Sequence, residues 1–101
     1  MYLRILRCWV DPKDNSRVED IEDRVSTLYV PEHGCEWTRF IVDREEGMWG
    51  NVSLWNSRED IEALGELDRM QQIKEELAPL LLEPPEINVY ELYEPEPPDD
   101  W

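Results

Sequence analysis

The sequence predicts an α+β domain built as one antiparallel sheet of four strands with its helices on a single face, and three observations carry that prediction. The chain has 101 residues, a length for one core and not two. Its apolar residues alternate between period two and helical spacing in the order strand, helix, strand, strand, helix, strand. The run Asn51-Val52-Ser53-Leu54-Trp55-Asn56-Ser57-Arg58-Glu59-Asp60 passes from a strand ending on tryptophan straight into a capped helix.

The first strand is expected over Tyr2 to Val10, where Leu3, Ile5 and Trp9 alternate with Tyr2, Leu6, Cys8 and Val10. Both of its faces are apolar apart from two arginines, so both should be covered. Asp11-Pro12-Lys13-Asp14-Asn15 is turn chemistry, and Ser16 with Glu19 spells a capping box for a first helix. Val18, Ile21, Val25, Leu28 and Tyr29 form the apolar stripe, with Glu19, Asp20, Glu22, Asp23 and Arg24 expected mostly on the wet side. Pro31 and Gly34 stop that helix.

A second strand runs over Glu36 to Asp43, the turn Arg44-Glu45-Glu46-Gly47 reverses the chain, and Met48 to Trp55 returns as a hairpin partner. Ser57 and Asp60 form a second capping box ahead of a helix broken near Gly65, with Leu67, Met70, Ile73, Leu77 and Leu81 at helical spacing. Pro79 closes its last turn and Pro84-Pro85 forbids continuation. Ile87, Val89, Tyr90 and Leu92 supply a fourth strand. The folded domain is expected over residues 1–93, and residues 94–101 read as an acidic, proline-rich tail.

That order is the split βαβ, or ferredoxin-like, plan. Right-handed crossovers put the third strand between the first and second, and the first between the third and fourth. Both helices then lie on one face, and the bare face still carries apolar side chains. A patch of that kind predicts a homodimer that covers it with a second sheet.

Ten basic against twenty-five acidic residues give a formal charge of −15, which repels nucleic acid and anionic membrane surfaces. No window approaches eighteen apolar residues, and Arg4 and Arg7 interrupt the apolar N-terminal run, so neither a spanning helix nor a signal peptide is expected. The expectation is a soluble, cytoplasmic chain. No glycine-rich phosphate loop or nucleophile elbow is present. His33-Gly34-Cys35 has too few ligands nearby for a closed zinc site, so no metal is expected. Cys8 and Cys35 lie on strands that flank a third, too far apart for a disulfide.

The segment Leu54-Trp55-Asn56-Ser57-Arg58-Glu59-Asp60-Ile61 resembles the strand-to-helix junction of the antibiotic biosynthesis monooxygenase-like domains, "aliphatic, Trp, x, Ser, x, Glu, x, aliphatic or aromatic", within the dimeric α+β barrel superfamily. Val89-Tyr90-Glu91-Leu92 is similar to the last strand of that family, and the resemblance spans roughly residues 1–93. The family includes cofactor-free oxygenases, haem-degrading enzymes and members with no demonstrated activity. Its haem branch pairs the junction tryptophan with an asparagine in the first strand and a histidine in the second helix. Here the first-strand position is near Arg7, and His33, the single histidine, precedes the second strand. No cofactor is therefore expected.

The resemblance implies that the Trp55 side of the third strand faces the helices, together with Trp49, Asn51 and Ser53. Arg7 and Trp9 of the first strand, and Trp37 and Arg39 of the second, are expected to join them in an aromatic box. For a cofactor-free oxygenase acting on a small phenolic, quinol or anthrone-like substrate, Arg7 or Arg39 would hold the developing oxyanion. Asn51 would orient substrate or dioxygen, and Trp55 with the other aromatics would exclude water. The arginines can instead snorkel or pair with surplus carboxylates. Ser57 can be a helix cap alone, and Trp55 can be core packing or a pocket wall. A non-catalytic small-ligand-binding or interaction module on the same fold is the rival reading, and an acidic surface that competes for a basic partner is a third.

Overall fold

The computed structural model describes residues 1–97. Its strands are β1 (Tyr2–Trp9), β2 (Cys35–Asp43), β3 (Met48–Trp55) and β4 (Glu86–Glu91), and its helices are α1 (Asn15–Ser26), α2 (Arg58–Glu66) and α3 (Asp68–Leu77). Of the expected tail, residues 94–97 are exposed and outside any helix or strand, and residues 98–101 lie outside the described residues.

The strands pair in the order β2-β3-β1-β4, every neighbour antiparallel, as the crossover argument requires. All three helices cover one face of this ferredoxin-like sheet. Beneath them lies the core, in which Cys8, Val10, Val18 and Trp55 are wholly buried.

Local chemistry explains most element boundaries. The second helical segment breaks at Leu67, which is extended (φ −62°, ψ 136°), and not at Gly65. Gly65 stays helical, and its carbonyl accepts the Gln71 side-chain amide at 2.5 Å. The Ser16–Glu19 capping box does not form. Pro12 winds a 3-10 turn (Pro12–Asp14), capped by the Asp11 carboxylate on the Lys13 amide at 3.0 Å, so that α1 has begun by Asn15 and Ser16 lies inside it. Glu19 instead pairs with Arg44 at 2.7 Å. The helix ends at Ser26, ahead of Leu28 and Tyr29, yet both remain buried because the following turns keep them over the sheet.

Ser57 caps α2 as expected. Its hydroxyl accepts the Asp60 amide at 3.2 Å and donates to the Asp60 carboxylate at 2.9 Å. Gly34 ties this cap to the segment before β2. It sits at φ +87°, its carbonyl accepts the Asn56 amide at 2.9 Å, and a Cβ there would collide with the Asp60 carboxylate. Gly34→Ala is therefore expected to lower stability by roughly 1–3 kcal/mol, from left-handed strain and displacement of the cap together. Urea unfolding measures it; an unchanged midpoint would contradict this account of the junction.

Candidate functional site

Strand register decides which side chains meet beneath the helices. Tyr2, Arg4, Leu6 and Cys8 of β1 lie opposite Trp55, Ser53, Asn51 and Trp49 of β3, and directly paired residues project to the same face. Arg4, Cys8, Asn51 and Ser53 are all buried there. Between this surface and the helices is a cavity of about 320 Å³, floored by Arg4, Leu6, Cys8 and Asn51 and roofed largely by aliphatic side chains of α1, α2 and α3. Its size is at the low end of the ~300–1,000 Å³ typical of small-molecule sites, enough for a small ring system.

Two polar groupings face this space. The first is centred on Tyr29, whose hydroxyl accepts Arg4 Nη1 at 2.9 Å and Asn51 Nδ2 at 3.4 Å. Both of those donors are directed at its oxygen, so neither bond uses the phenol's own O–H. Asn51 Oδ1 is buried without a partner. Arg4 is only 9% exposed and has no carboxylate within ion-pair distance among the described residues. A buried guanidinium without a counter-ion is costly, and an anionic oxygen in the cavity would relieve that cost.

The second grouping is Glu22 with Cys8. Glu22 is 8% exposed, and its Oε2 is buried without a partner. Burial, reinforced by the adjacent Asp23 charge, pushes its carboxyl from near 4.5 up to about 7. Burial and then the Glu22 charge push the Cys8 thiol up to about 11, so Cys8 is not a thiolate nucleophile at neutral pH.

Trp55 is wholly buried but does not line the cavity. Its Nε1 donates to Ser53 Oγ at 2.7 Å, and its ring meets Tyr29 edge-on at 5.7 Å. Phe40 meets Tyr29 edge-on at 5.9 Å, so the phenol is held by two rings. Trp49 shares the face but lies against the start of α1, its Nε1 donating to Asn15 Oδ1 at 2.9 Å and its ring 5.2 Å from Arg44.

The structure separates the expected site residues. Asn51 reaches the cavity, whereas Arg7 and Trp9 pair with Gly50 and Met48 and project from the opposite, open face. There Arg7 bonds Glu86 at 2.5 Å and lies 6.0 Å from the Trp9 ring centre. Trp37 and Arg39 pair with Leu54 and Val52 on that same open face. A bulge between Cys35 and Trp37 reverses the alternation of β2, so that Cys35 points under the helices and Trp37 does not. The expected aromatic box is thus not assembled, and Tyr29 is the aromatic side chain lining the cavity.

Arg4, Tyr29 and Glu22 were missed by sequence reasoning. Arg4 was hidden because both faces of β1 are apolar, which leaves its phase open. Glu22 did leave a signal, since it falls four residues after Val18 and three before Val25, inside the buried stripe.

Cys8 and Cys35 are free and buried. They pair with opposite ends of β3, Trp49 and Trp55, so they are separated along the sheet as well as across it. His33 Nδ1 bonds the Leu28 carbonyl at 2.8 Å. No group of three potential metal ligands occurs among the described residues.

Comparison with known proteins supports the same architecture. No protein-family profile matches the sequence, and no curated protein matches it. Solved structures do. A protein from Nitrosomonas europaea, provisionally named an antibiotic biosynthesis monooxygenase, superposes with a TM-score of 0.82 at 17% identity, over 92% of this chain and 100% of that one. A protein from Caulobacter crescentus with the same provisional name gives 0.82 at 17% identity, over 92% and 90%. A mutant of SnoaB, a cofactor-independent oxygenase from Streptomyces nogalater, gives 0.73 at 12% identity, over 96% and 97%. The chain therefore has the fold of antibiotic biosynthesis monooxygenase-like proteins, as its strand-to-helix junction implied.

Glu22 also makes a stability prediction. Its folded value lies above its unfolded one, so its contribution is fully present below about pH 4.5 and is lost as pH rises through about 7. Glu22→Gln removes this dependence and should stabilise the protein relative to wild type above pH 7 by up to on the order of 3 kcal/mol. Equal gains at pH 4 and pH 8 in denaturant titrations would refute this.

Proposed function

We propose that this chain is a cofactor-independent oxygenase of the antibiotic biosynthesis monooxygenase type, acting on a small phenolic, quinol or anthrone-like molecule in the cavity between sheet and helices. The supporting observation is Arg4, a buried cation without a counter-ion, bonded to a tyrosine that has a proton to donate beside an apolar cavity. A neutral aromatic acid fits such a space, and its conjugate base is favoured there. Arg4 and Tyr29 would stabilise the oxyanion as it forms, and Asn51 Oδ1 would accept a substrate hydroxyl and fix the pose.

All electrons come from the substrate. Loss of a proton leaves an enolate or phenolate, which passes one electron to dioxygen; the radical pair joins as a peroxide anion, the proton first removed returns to it to give the hydroperoxide, and loss of water leaves a carbonyl. One oxygen atom enters the product and the other leaves as water, with substrate oxidised by the same four electrons that reduce dioxygen. The aliphatic roof would exclude bulk water from the anion. Trp55 acts in this scheme as a positioning residue, through Tyr29, and not as a wall of the cavity.

The functional unit in this reading is a homodimer. The open face presents Leu3, Ile5, Trp9, Val52 and Leu54 at its centre, with Trp37 and Tyr90 40% and 54% exposed toward its edges. A second copy would bury this surface. No helix among the described residues is long and apolar enough to cross a membrane. Two free, buried cysteines fit a reducing compartment such as the cytoplasm.

Oxygen uptake with anthrone tests the chemistry. Wild type should consume oxygen, and Arg4→Met and Asn51→Ala, with circular dichroism retained, should each lose about 100-fold in kcat/KM. Binding of phenols, quinols and anthrones without oxygen uptake would replace the oxygenase by a non-catalytic ligand-binding module. Sedimentation tests the assembly: wild type should run at twice the 12.1 kDa chain mass and Ile5→Lys as a monomer. A wild-type monomer at micromolar concentration would overturn the pairing.

A further inference from the structure

We propose that Glu22 is the catalytic base of this cavity: its Oε2 takes a proton from an acidic C–H or O–H of the bound molecule, whose electron pair remains on the ligand as an enolate or phenolate facing Arg4 and Tyr29. The inference deepens the oxygenase reading and rests on it for the class of ligand.

Placement is the first argument. Glu22 shares the cavity wall with Arg4, Tyr29 and Asn51 but takes no part in the hydrogen bonds that join those three. Its charge is felt by Cys8, which is four residues beyond Arg4 on the same face of β1, about 14 Å of strand at ~3.4 Å per residue. Leu6 lies between them. The cavity therefore offers a proton acceptor near Cys8 and an oxyanion-stabilising pair at Arg4 and Tyr29, with Leu6 and Asn51 between them, an arrangement that polarises one ligand spanning both.

The second argument is what Glu22 lacks. It has no hydrogen bond or ion pair among the described residues, although basic side chains are close by. Arg44, which shares a surface pocket with Glu22, is taken by Glu19 at 2.7 Å, and Arg24 by Glu76 at 2.6 Å and Asp20 at 3.3 Å. Arg24 of its own helix and Arg44 of the β2–β3 turn are thus each held by an exposed carboxylate and not by Glu22. A carboxyl in the core stripe of α1, between Val18 and Val25, costs stability and serves no structural partner. A ligand proton is the partner it fits.

The electrostatic setting agrees. Arg4, Cys8, Tyr29 and Lys74 share the cavity with Glu22, while Glu19, Asp23 and Arg44 lie beside it toward β2. Burial and Asp23 hold the carboxyl near 7, where it is about half ionised at neutral pH and a stronger base than an exposed glutamate. Arg4 would favour charge transfer to the ligand without being bonded to Glu22 itself.

Proton abstraction can be read separately from oxidation. Under argon in D2O, anthrone exchanges its methylene hydrogens for deuterium each time it is deprotonated, and proton NMR follows the loss. Wild type should accelerate this exchange over buffer, with the enzyme-dependent rate rising with pH through about 7 and then levelling. Glu22→Gln should lose about 100-fold or more of the acceleration together with the inflection. Glu22→Asp, which keeps a carboxylate on a shorter arm, should retain an intermediate rate. Anthraquinone, which has no methylene hydrogen, should quench tryptophan fluorescence in wild type and both variants with dissociation constants within twofold, showing the cavity intact. Exchange at the wild-type rate in Glu22→Gln, or no acceleration by wild type, overturns the assignment. Exchange that depends on Glu22, with no oxygen uptake once air is admitted, sustains the base and removes the oxygenase.

Discussion

The pairing of β1 with β3 is the constraint on which the rest of the molecule depends. Side chains alternate with period two, so the register Tyr2↔Trp55 through Trp9↔Met48 sends Arg4, Leu6 and Cys8 beneath the helices and leaves Leu3, Ile5, Arg7 and Trp9 outside. A slip of one residue would exchange the two sets, placing an arginine–tryptophan pair in the core and exposing Cys8. Gly50 reinforces the register, because a Cβ there would run into the Leu6 carbonyl. The bulge after Cys35 adapts β2 to the same pattern, burying Cys35 against the Trp55 end of β3 while turning Trp37 and Arg39 outward.

Stability and reactivity are drawn apart inside the helix-covered layer. Most of it is packed in the ordinary way: Trp55 satisfies its only donor on Ser53, Trp49 does so on Asn15, and Tyr29 is wedged between Trp55 and Phe40. Around the cavity the pattern changes, with Arg4 lacking a counter-ion, Asn51 Oδ1 lacking a donor and Glu22 Oε2 lacking any bond. Orphaned polar atoms of this kind are uncommon in a folded core and oppose folding. Exposed ion pairs at Arg24, Arg44 and Arg7 do not compensate for them, since solvent and salt screen such pairs. Three unpaired groups around one apolar space are the arrangement by which a site is kept ready for a ligand that supplies the missing partners.

The two faces of the sheet have different chemistry because they answer to different partners. Under the helices the strands meet aliphatic side chains of their own chain. On the open face no helix among the described residues covers Ile5, Trp9, Val52 and Leu54, and Arg7, Arg39 and Glu86 supply charge at intervals. Of the residues expected in the aromatic box, Arg7, Trp9, Trp37 and Arg39 belong to this second surface, so their functional reading passes from a substrate box to an interface.

Element order, the β3–α2 junction, the cap at Ser57, the hairpin and the strand order were legible in the linear sequence, because each rests on local periodicity, turn chemistry or the handedness of crossovers. So was Asn51, whose phase on β3 follows from Trp49 and Trp55. The sequence could not say which arginine of β1 turns inward, since Leu3, Ile5 and Trp9 on one side are as apolar as Leu6, Cys8 and Val10 on the other. Nor could it place the bulge that turns Trp37 away, or the 3-10 turn at Pro12 that starts α1 early. Tertiary structure decided these, because facing of a two-sided strand is settled by what packs on each side and not by the strand itself. The site follows the same division: residue types that can hold an oxyanion and a proton are present in the chain, but only the closing of helices over one face of the sheet brings Arg4, Tyr29, Asn51 and Glu22 around a single space.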